Sequence, residues 1–255
     1  MRTLGAAYRL QLRIVRADPD YLMPLATIPL FTIVFVSIVR HAGRDDLTEY
    51  ALMAPVLIAL WQLSLTVAGE IVADDRWLGV LELAIAAPAS FPTAVVGRVL
   101  AVTSVALLAF AEVWAVAAGV FRVTIELHHP TAFVLTLAAT VLAMSGTALI
   151  MAALFVVTRS ARTFQNSLSY PFYVLGGVLV PVSFLPDWLE PLSRVVFLSW
   201  SAELLRDSLA AAPLDALAFR LAMVLVLGAI GFVAGRLVLE RIVRRVRRTG
   251  EVGLA

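Results

Sequence analysis

Four groups of side chains carry the chemistry this sequence can offer. Glu203, Arg206 and Asp207 stand at i, i+3 and i+4, so on a helix they share a face and can pair. Trp188 precedes them in the same segment. Glu112 is a lone carboxylate inside a long apolar run, and Glu70 is another near the end of a second run. A carboxylate in apolar surroundings faces a polar cavity, where it can meet a cationic solute, or is held neutral by a hydrogen bond to a neighbouring helix. Gly176, Gly177 and Pro181 interrupt a third run, where backbone can bend or part. The fourth group is Arg76, Trp77, Leu78, Leu81 and Glu82, within ADDRWLGVLELAIAAPASFP (Ala73–Pro92). Charge clusters at its entrance. A short amphipathic stretch follows, Leu78–Ala87, with Glu82 its only charge. Such a helix can dock in a groove of a soluble partner.

Other chemistries are excluded by residue type. The chain has 20 basic residues, all arginine. The phosphate-gripping loop G-x-x-x-x-G-K-[ST] needs a lysine, so ATP-driven work would need an ATPase on another polypeptide. There is no cysteine, and the three histidines, His41, His128 and His129, are too few for a zinc centre. An intramembrane serine protease needs a base beside its nucleophile. Ser145-Gly146 lacks a glycine two residues before the serine, and no apolar run holds a histidine. A metalloprotease fails for want of H-E-x-x-H. No cofactor is expected, and a net charge of +2 argues against a nucleic-acid partner.

The elements that must position these groups are membrane helices. The composition is 61% hydrophobic and only 15% charged, with a mean hydropathy of +0.93. That leaves too little polar surface for a water-soluble chain of this length. In lipid every backbone polar group must pair internally, which calls for apolar helices. The apolar runs are about twice the length of a barrel strand and do not alternate. The expected fold is therefore an all-α integral membrane domain, one unit over 1–255. Six spans are predicted, at about Tyr21–Val39, Tyr50–Val72, Thr93–Phe121, Thr131–Val157, Asn166–Val182 and Ala216–Leu239. Pro24 and Pro29 predict a kink in the first. Residues 1–18 form an amphipathic interfacial helix, with Arg2, Arg9, Arg13 and Arg16 along a narrow arc. The segment 183–213 is too apolar for an open loop and too broken by prolines for a span. It is read as a re-entrant pair of short helices, with Trp188 and Trp200 as interface anchors.

Arginine placement sets the orientation. With both termini in the cytoplasm, 14 arginines lie inside, and Arg40, Arg44, Arg122, Arg194, Arg206 and Arg220 lie outside. The tail 240–255 is then a basic cytoplasmic segment suited to anionic lipid. Glu112 is fourteen residues past Arg98, about 21 Å along a helix, and falls in the outer half of the membrane. Gly231-x-x-x-Gly235 permits a close helix contact, within the chain or between copies. No cleavable signal peptide and no internal repeat is evident. The functional reading of 183–213 is an external gate or dimer contact, and the plain one is an interfacial ion pair.

Two blocks resemble a known family. In Ile71–Leu100 the order DDR, GVLE, AAP and GR is similar to the first cytoplasmic loop of ABC-2 type transporter permeases. That pattern is an acidic–basic group, G-T-L-E, a small-residue proline turn and then Gly-Arg or Gly-Lys. The segment YPFYVLGGVLVPVSFLPDWLEPLSRVVFLSWSAELLRD (Tyr170–Asp207) resembles the family's late signature. The likeness covers nearly the whole chain and is nearest the drug- and lipid-exporting branch typified by daunorubicin-resistance permeases. Val80 stands where the family has Thr, and Trp77 where it has a polar residue.

The resemblance implies a permease subunit of an ATP-driven exporter of hydrophobic or amphipathic drug or lipid. Such a subunit sits in the bacterial cytoplasmic membrane. Its partners would be a separate ATP-binding subunit, which alone binds ATP, and a second permease chain, identical or related. Leu78–Ala87 would be the coupling helix, with Arg76, Trp77 and Glu82 as its anchors. Export of lipid-linked polysaccharide is the alternative, and a membrane scaffold or intramembrane enzyme is a more distant one.

Overall fold

The computed structural model describes residues 2–87, 89–123, 125–157 and 161–249. Among them there is no strand, and the regular elements are all helices or helical turns. Helix α1 is Arg2–Ala17. A 3-10 turn, Pro19–Leu22, then α2 (Met23–Ala26) and α3 (Ile28–His41) make up the first stretch apolar and long enough to cross a bilayer, Pro19–His41. Pro24 and Pro29 each sit in the first turn of a helix, so the expected kink is a break at Thr27. Next come α4 (Thr48–Gln62), a π turn at Leu63–Val67 and α5 (Ala68–Trp77), together the stretch Thr48–Trp77. Helix α6 is Leu81–Ala86, and α7 (Phe91–Val105) with α8 (Leu108–Gly119) forms Phe91–Gly119. Helix α9 is Pro130–Val157 and α10 is Ala161–Leu175. Then follow α11 (Glu190–Arg194), α12 (Phe197–Asp207) and α13 (Leu217–Thr249).

Among the described residues five helical stretches are thus long and apolar enough to span, where six were expected. The difference is α10. Its 15 residues reach about 22 Å, short of a hydrocarbon core of about 30 Å. The expected span Asn166–Val182 is cut off at Leu175, because Gly176-Gly177 turns the chain. Helix α10 nevertheless carries the chain across the body. It follows α9, which starts where His129 N–H donates to Ser208 O beside α12, and it ends where Gly177 O meets Arg206 of α12. The other end of the body carries α6, all of α1 and the end of α13. Segment 183–213 contains the expected pair of short helices, α11 and α12.

The centre of the body is α4. Every residue from Ala51 to Trp61 is buried, so this helix is apolar on all sides because protein surrounds it on all sides. Trp61 stacks on Phe172 of α10 at 4.6 Å between ring centroids, and its indole N–H donates to Ser169 Oγ at 3.1 Å. Helices α9 and α13 form the longest interface, through small residues. A Cβ at Gly228 would lie 2.5 Å from that of Ala143, and one at Gly235 would lie 2.9 Å from the backbone N of Ile150. The glycine pair of the last helix therefore serves packing within the chain, with Gly235 at the contact and Gly231 at its margin.

Candidate functional site

The DDR and GR ends of the pattern meet in a single knot in space. Asp75, from the acidic pair, is 7% exposed and takes a hydrogen bond from Arg98 Nη1 at 2.5 Å. Arg98 Nε donates to Oε1 of Gln11, a fully buried residue of α1, at 2.8 Å. Gly97 beside it admits the α1 backbone, since a Cβ there would stand 2.5 Å from Leu4 O. Asp74 accepts from the Tyr21 hydroxyl at 3.0 Å. Three segments, α1, α5 and α7, are thus tied to one point by polar bonds shielded from water, where each bond is stronger. Gln11 was not singled out in the sequence. Its signal was an amide on the apolar face of an amphipathic helix.

Helix α5 runs on through Trp77 and stops at Gly79, whose φ of +70° is the left-handed conformation that ends helices. Val80 N–H donates to Asp75 O at 2.9 Å and Gly79 N–H to Arg76 O at 3.0 Å, the paired bonds of a Schellman turn. The expected coupling helix Leu78–Ala87 is corrected accordingly. Leu78 to Val80 form the turn, and the helix proper is Leu81–Ala86. Leu81 and Ile85, four apart, are 1% and 3% exposed and anchor α6 to the core. The opposite side is open: Trp77 is 89% exposed, Leu83 72% and Leu78 66%, with Glu82 exposed among them. The C-terminal carbonyls of α6 are held by the last helix. Arg247 donates from Nε to Ile85 O at 2.9 Å and from Nη2 to Ala87 O at 3.4 Å. A cation at a helix C-terminus is favourable to the dipole as well.

Glu70 belongs to this site too. With Asp18, Asp20, Tyr21, Asp74, Trp77 and Leu78 it lines a cleft of about 360 Å³ between the α1–α2 joint and the α5–α6 turn. Glu112 lies elsewhere, on α8 among α3 and α4, with one carboxylate oxygen buried and without a hydrogen-bond partner.

At the far end the expected ionic face is resolved differently. Glu203 pairs with Arg194 at 2.8 Å, and Arg220 of α13 reaches Asp207 at 2.7 Å and Glu203 at 3.6 Å. Arg206 does not join them; it turns inward, 2% exposed. Its Nη2 donates to Gly177 O at 2.6 Å and Val178 O at 3.2 Å, and its guanidinium lies 4.0 Å from the Tyr50 ring centre. Burial pushes its pKa down to about 10, against the pull of Tyr50, Glu203 and Asp207, so it is charged at neutral pH. Gly176 and Gly177 are packed turn residues, and Pro181, also buried, begins the 3-10 turn Val182–Phe184. Trp188 is 75% exposed.

The sequence model of the ABC-2 type transporter family matches residues 4–210, which takes in both blocks and every element up to the end of α12. No curated protein matches the chain.

Proposed function

This chain belongs to the ABC-2 type transporter family, and from that premise we propose that it is the permease subunit of an ATP-driven exporter whose ATPase is a separate polypeptide. The family makes it an integral membrane transport protein that associates with an ATP-binding subunit. The observation that carries the finer reading is the two-sided α5–α6 turn. Its inner side is locked by Leu81, Ile85 and Arg247, while Trp77, Leu78, Leu83 and Glu82 stand outward. A rigid apolar knob beside a charge suits a groove on a soluble motor. Force applied there would reach α1 and α7 through the Asp75–Arg98–Gln11 bonds and α13 through Arg247.

The positive-inside rule supports a cytoplasmic position for this end, because Arg2, Arg9, Arg13 and Arg16 of α1 and the arginines ending α13 gather at it. Helices α11 and α12 then form the external, re-entrant segment. A second permease chain completes the pathway. Its substrate is a hydrophobic or amphipathic drug or lipid, since the buried core is mostly apolar, and Glu112, with one buried carboxylate oxygen, is the carboxyl assigned to meet a cation.

The test is co-expression with an ATP-binding subunit. Glu82→Arg and Leu83→Arg are expected to leave insertion intact while ATP hydrolysis no longer drives export. Normal export and unchanged co-purification of the ATPase in both variants would overturn the assignment. Glu112→Gln is expected to change the handling of cationic substrates. Unchanged export of every cation tried would leave this carboxyl a purely structural role.

A further inference from the structure

The end of the molecule that carries α6 is dense in arginine, from α1 and from the last turns of α13, yet one part of it is negative. The cleft between the α1–α2 joint and the α5–α6 turn holds Asp18, Asp20, Glu70 and Asp74 against the rings of Tyr21 and Trp77. Among the described residues no arginine forms an ion pair with Asp18, Asp20 or Asp74. Arg98 of α7 is engaged by Asp75 and Gln11. The bonds these carboxylates make are to neutral donors. Asp18 Oδ1 accepts from Asp20 N–H at 3.1 Å, and Asp74 Oδ2 accepts from the Tyr21 hydroxyl at 3.0 Å. A carboxylate has about four acceptor sites, so most of this capacity is open to a further donor.

The walls narrow what can fill the cleft. Among the described residues no three acidic or histidine side chains stand close enough to ligate a metal ion. A small hydrated ion would also leave the Trp77 ring and Leu78 against water, and an anionic lipid headgroup is repelled. A flat, weakly hydrated cation on an apolar stem meets every wall. A guanidinium stacks on an aromatic face, pairs with carboxylates through its fork, and lays its methylenes along apolar surface. The compact, strongly hydrated ammonium of lysine does this less well. The cleft also shares Trp77 and Leu78 with the outward side of the α5–α6 turn, so an occupant of one touches the other.

We propose that the cleft receives an arginine of the ATP-binding subunit, and that its negative charge steers the subunit past the arginines of α1 and α13 to the turn. This rests on the reading of the turn as the docking point, and adds to it the α1–α2 joint through Asp18, Asp20 and Tyr21. Charge at an interface rim acts mainly on the rate of encounter, whereas apolar contact acts mainly on the lifetime of the complex. The two claims can therefore fail separately.

The experiment holds the full chain in phosphatidylcholine nanodiscs on a biosensor and measures association and dissociation of the purified ATP-binding subunit at low and high salt. Association is expected to slow on the order of tenfold as salt screens the cleft. Asp20→Asn combined with Asp74→Asn should slow low-salt association on the order of tenfold and remove most of the salt dependence. Asp20 is exposed and Asp74→Asn keeps an oxygen for Tyr21, so this variant should unfold at the unmodified temperature. Leu83→Ser, on the turn but outside the cleft, should speed dissociation and leave the salt dependence in place. At fixed ionic strength N-acetylarginine amide should compete with the subunit and N-acetyllysine amide should not. Association and salt dependence unchanged in the double Asn variant, with Leu83→Ser still weakening capture, overturn the cleft and leave the docking turn standing. Unchanged capture in all variants overturns both. Equal competition by the two amides overturns the assignment to arginine. A phosphatidylcholine molecule found by mass spectrometry on the unmodified chain and lost from the double Asn variant also overturns the proposal, in favour of a lipid ammonium headgroup.

Discussion

Helices α5 and α10 end in the same way and in opposite surroundings. Each closes on a glycine with positive φ, Gly79 at +70° and Gly177 at +63°, and each makes the pair of Schellman hydrogen bonds. Around Gly79 there is open space: nothing lies within 4 Å of an added Cβ. Around Gly177 a Val182 methyl carbon would be 2.8 Å away, and the carbonyls of Gly177 and Val178 are covered by the buried Arg206. One turn displays Trp77 and Leu78, and the other is sealed by a cation. Identical backbone chemistry thus leaves an exposed apolar surface at one end and a rigid joint at the other. What separates them is which tertiary partner arrives.

The sharpest way to break that comparison is to remove the seal. Arg206→Ala leaves two buried carbonyls without their donor and is expected to cost about 3 kcal/mol in unfolding measured in micelles. A loss as small as that of an exposed arginine would mean that Arg206 does not brace the turn. Next come the glycines. Gly177→Ala combines left-handed strain with a collision against Val182, so a cost of about 2 kcal/mol is expected. Gly79→Ala meets strain alone and should cost about 1 kcal/mol. Equal costs would erase the difference between the two turns. Arg247→Ala should take about 0.5–1 kcal/mol from the C-terminus of α6. Hydrogen exchange would show it as faster opening of Leu83 to Ala87, with Arg247→Lys intermediate. Smallest in stability is Trp77→Ser, within about 0.5 kcal/mol because the ring touches little of the protein. Its effect should appear instead as weaker capture of the ATP-binding subunit.

Much of this was legible in the sequence because it depends on local patterns. Runs of apolar residues located the five stretches long enough to span but also suggested a sixth at Asn166–Val182, and Pro24 and Pro29 located the break in the first. The roles of Trp77 and Glu82 came from the family resemblance, and Leu81, grouped with them in the sequence, is instead 1% exposed and faces the core. The start of α6 was misjudged by three residues, since Leu78 continues the apolar pattern while Gly79 changes the backbone beneath it. The pairing of Glu203, Arg206 and Asp207 was misjudged for a different reason. Helical spacing shows which side chains are neighbours, but Arg194 and Arg220 compete for the carboxylates and two buried turn carbonyls compete for Arg206. The same holds for Arg247, one basic residue among several in the tail, whose bond to α6 joins positions 162 apart.

Taken alone, the sequence determined the solvent. So many apolar residues and so few charges require lipid, and lipid requires helices whose backbone groups pair within each segment. It also determined that phosphate could not be gripped here by a lysine loop. Only the tertiary structure decided which polar groups meet. Asp75 with Arg98 and Gln11, Arg206 with the Gly177 turn, and Arg247 with α6 are contacts between segments distant in the chain. The reason is physical: an apolar run needs only its own composition to choose the membrane. A buried charge has no favourable state until a partner from another helix is brought within hydrogen-bonding distance.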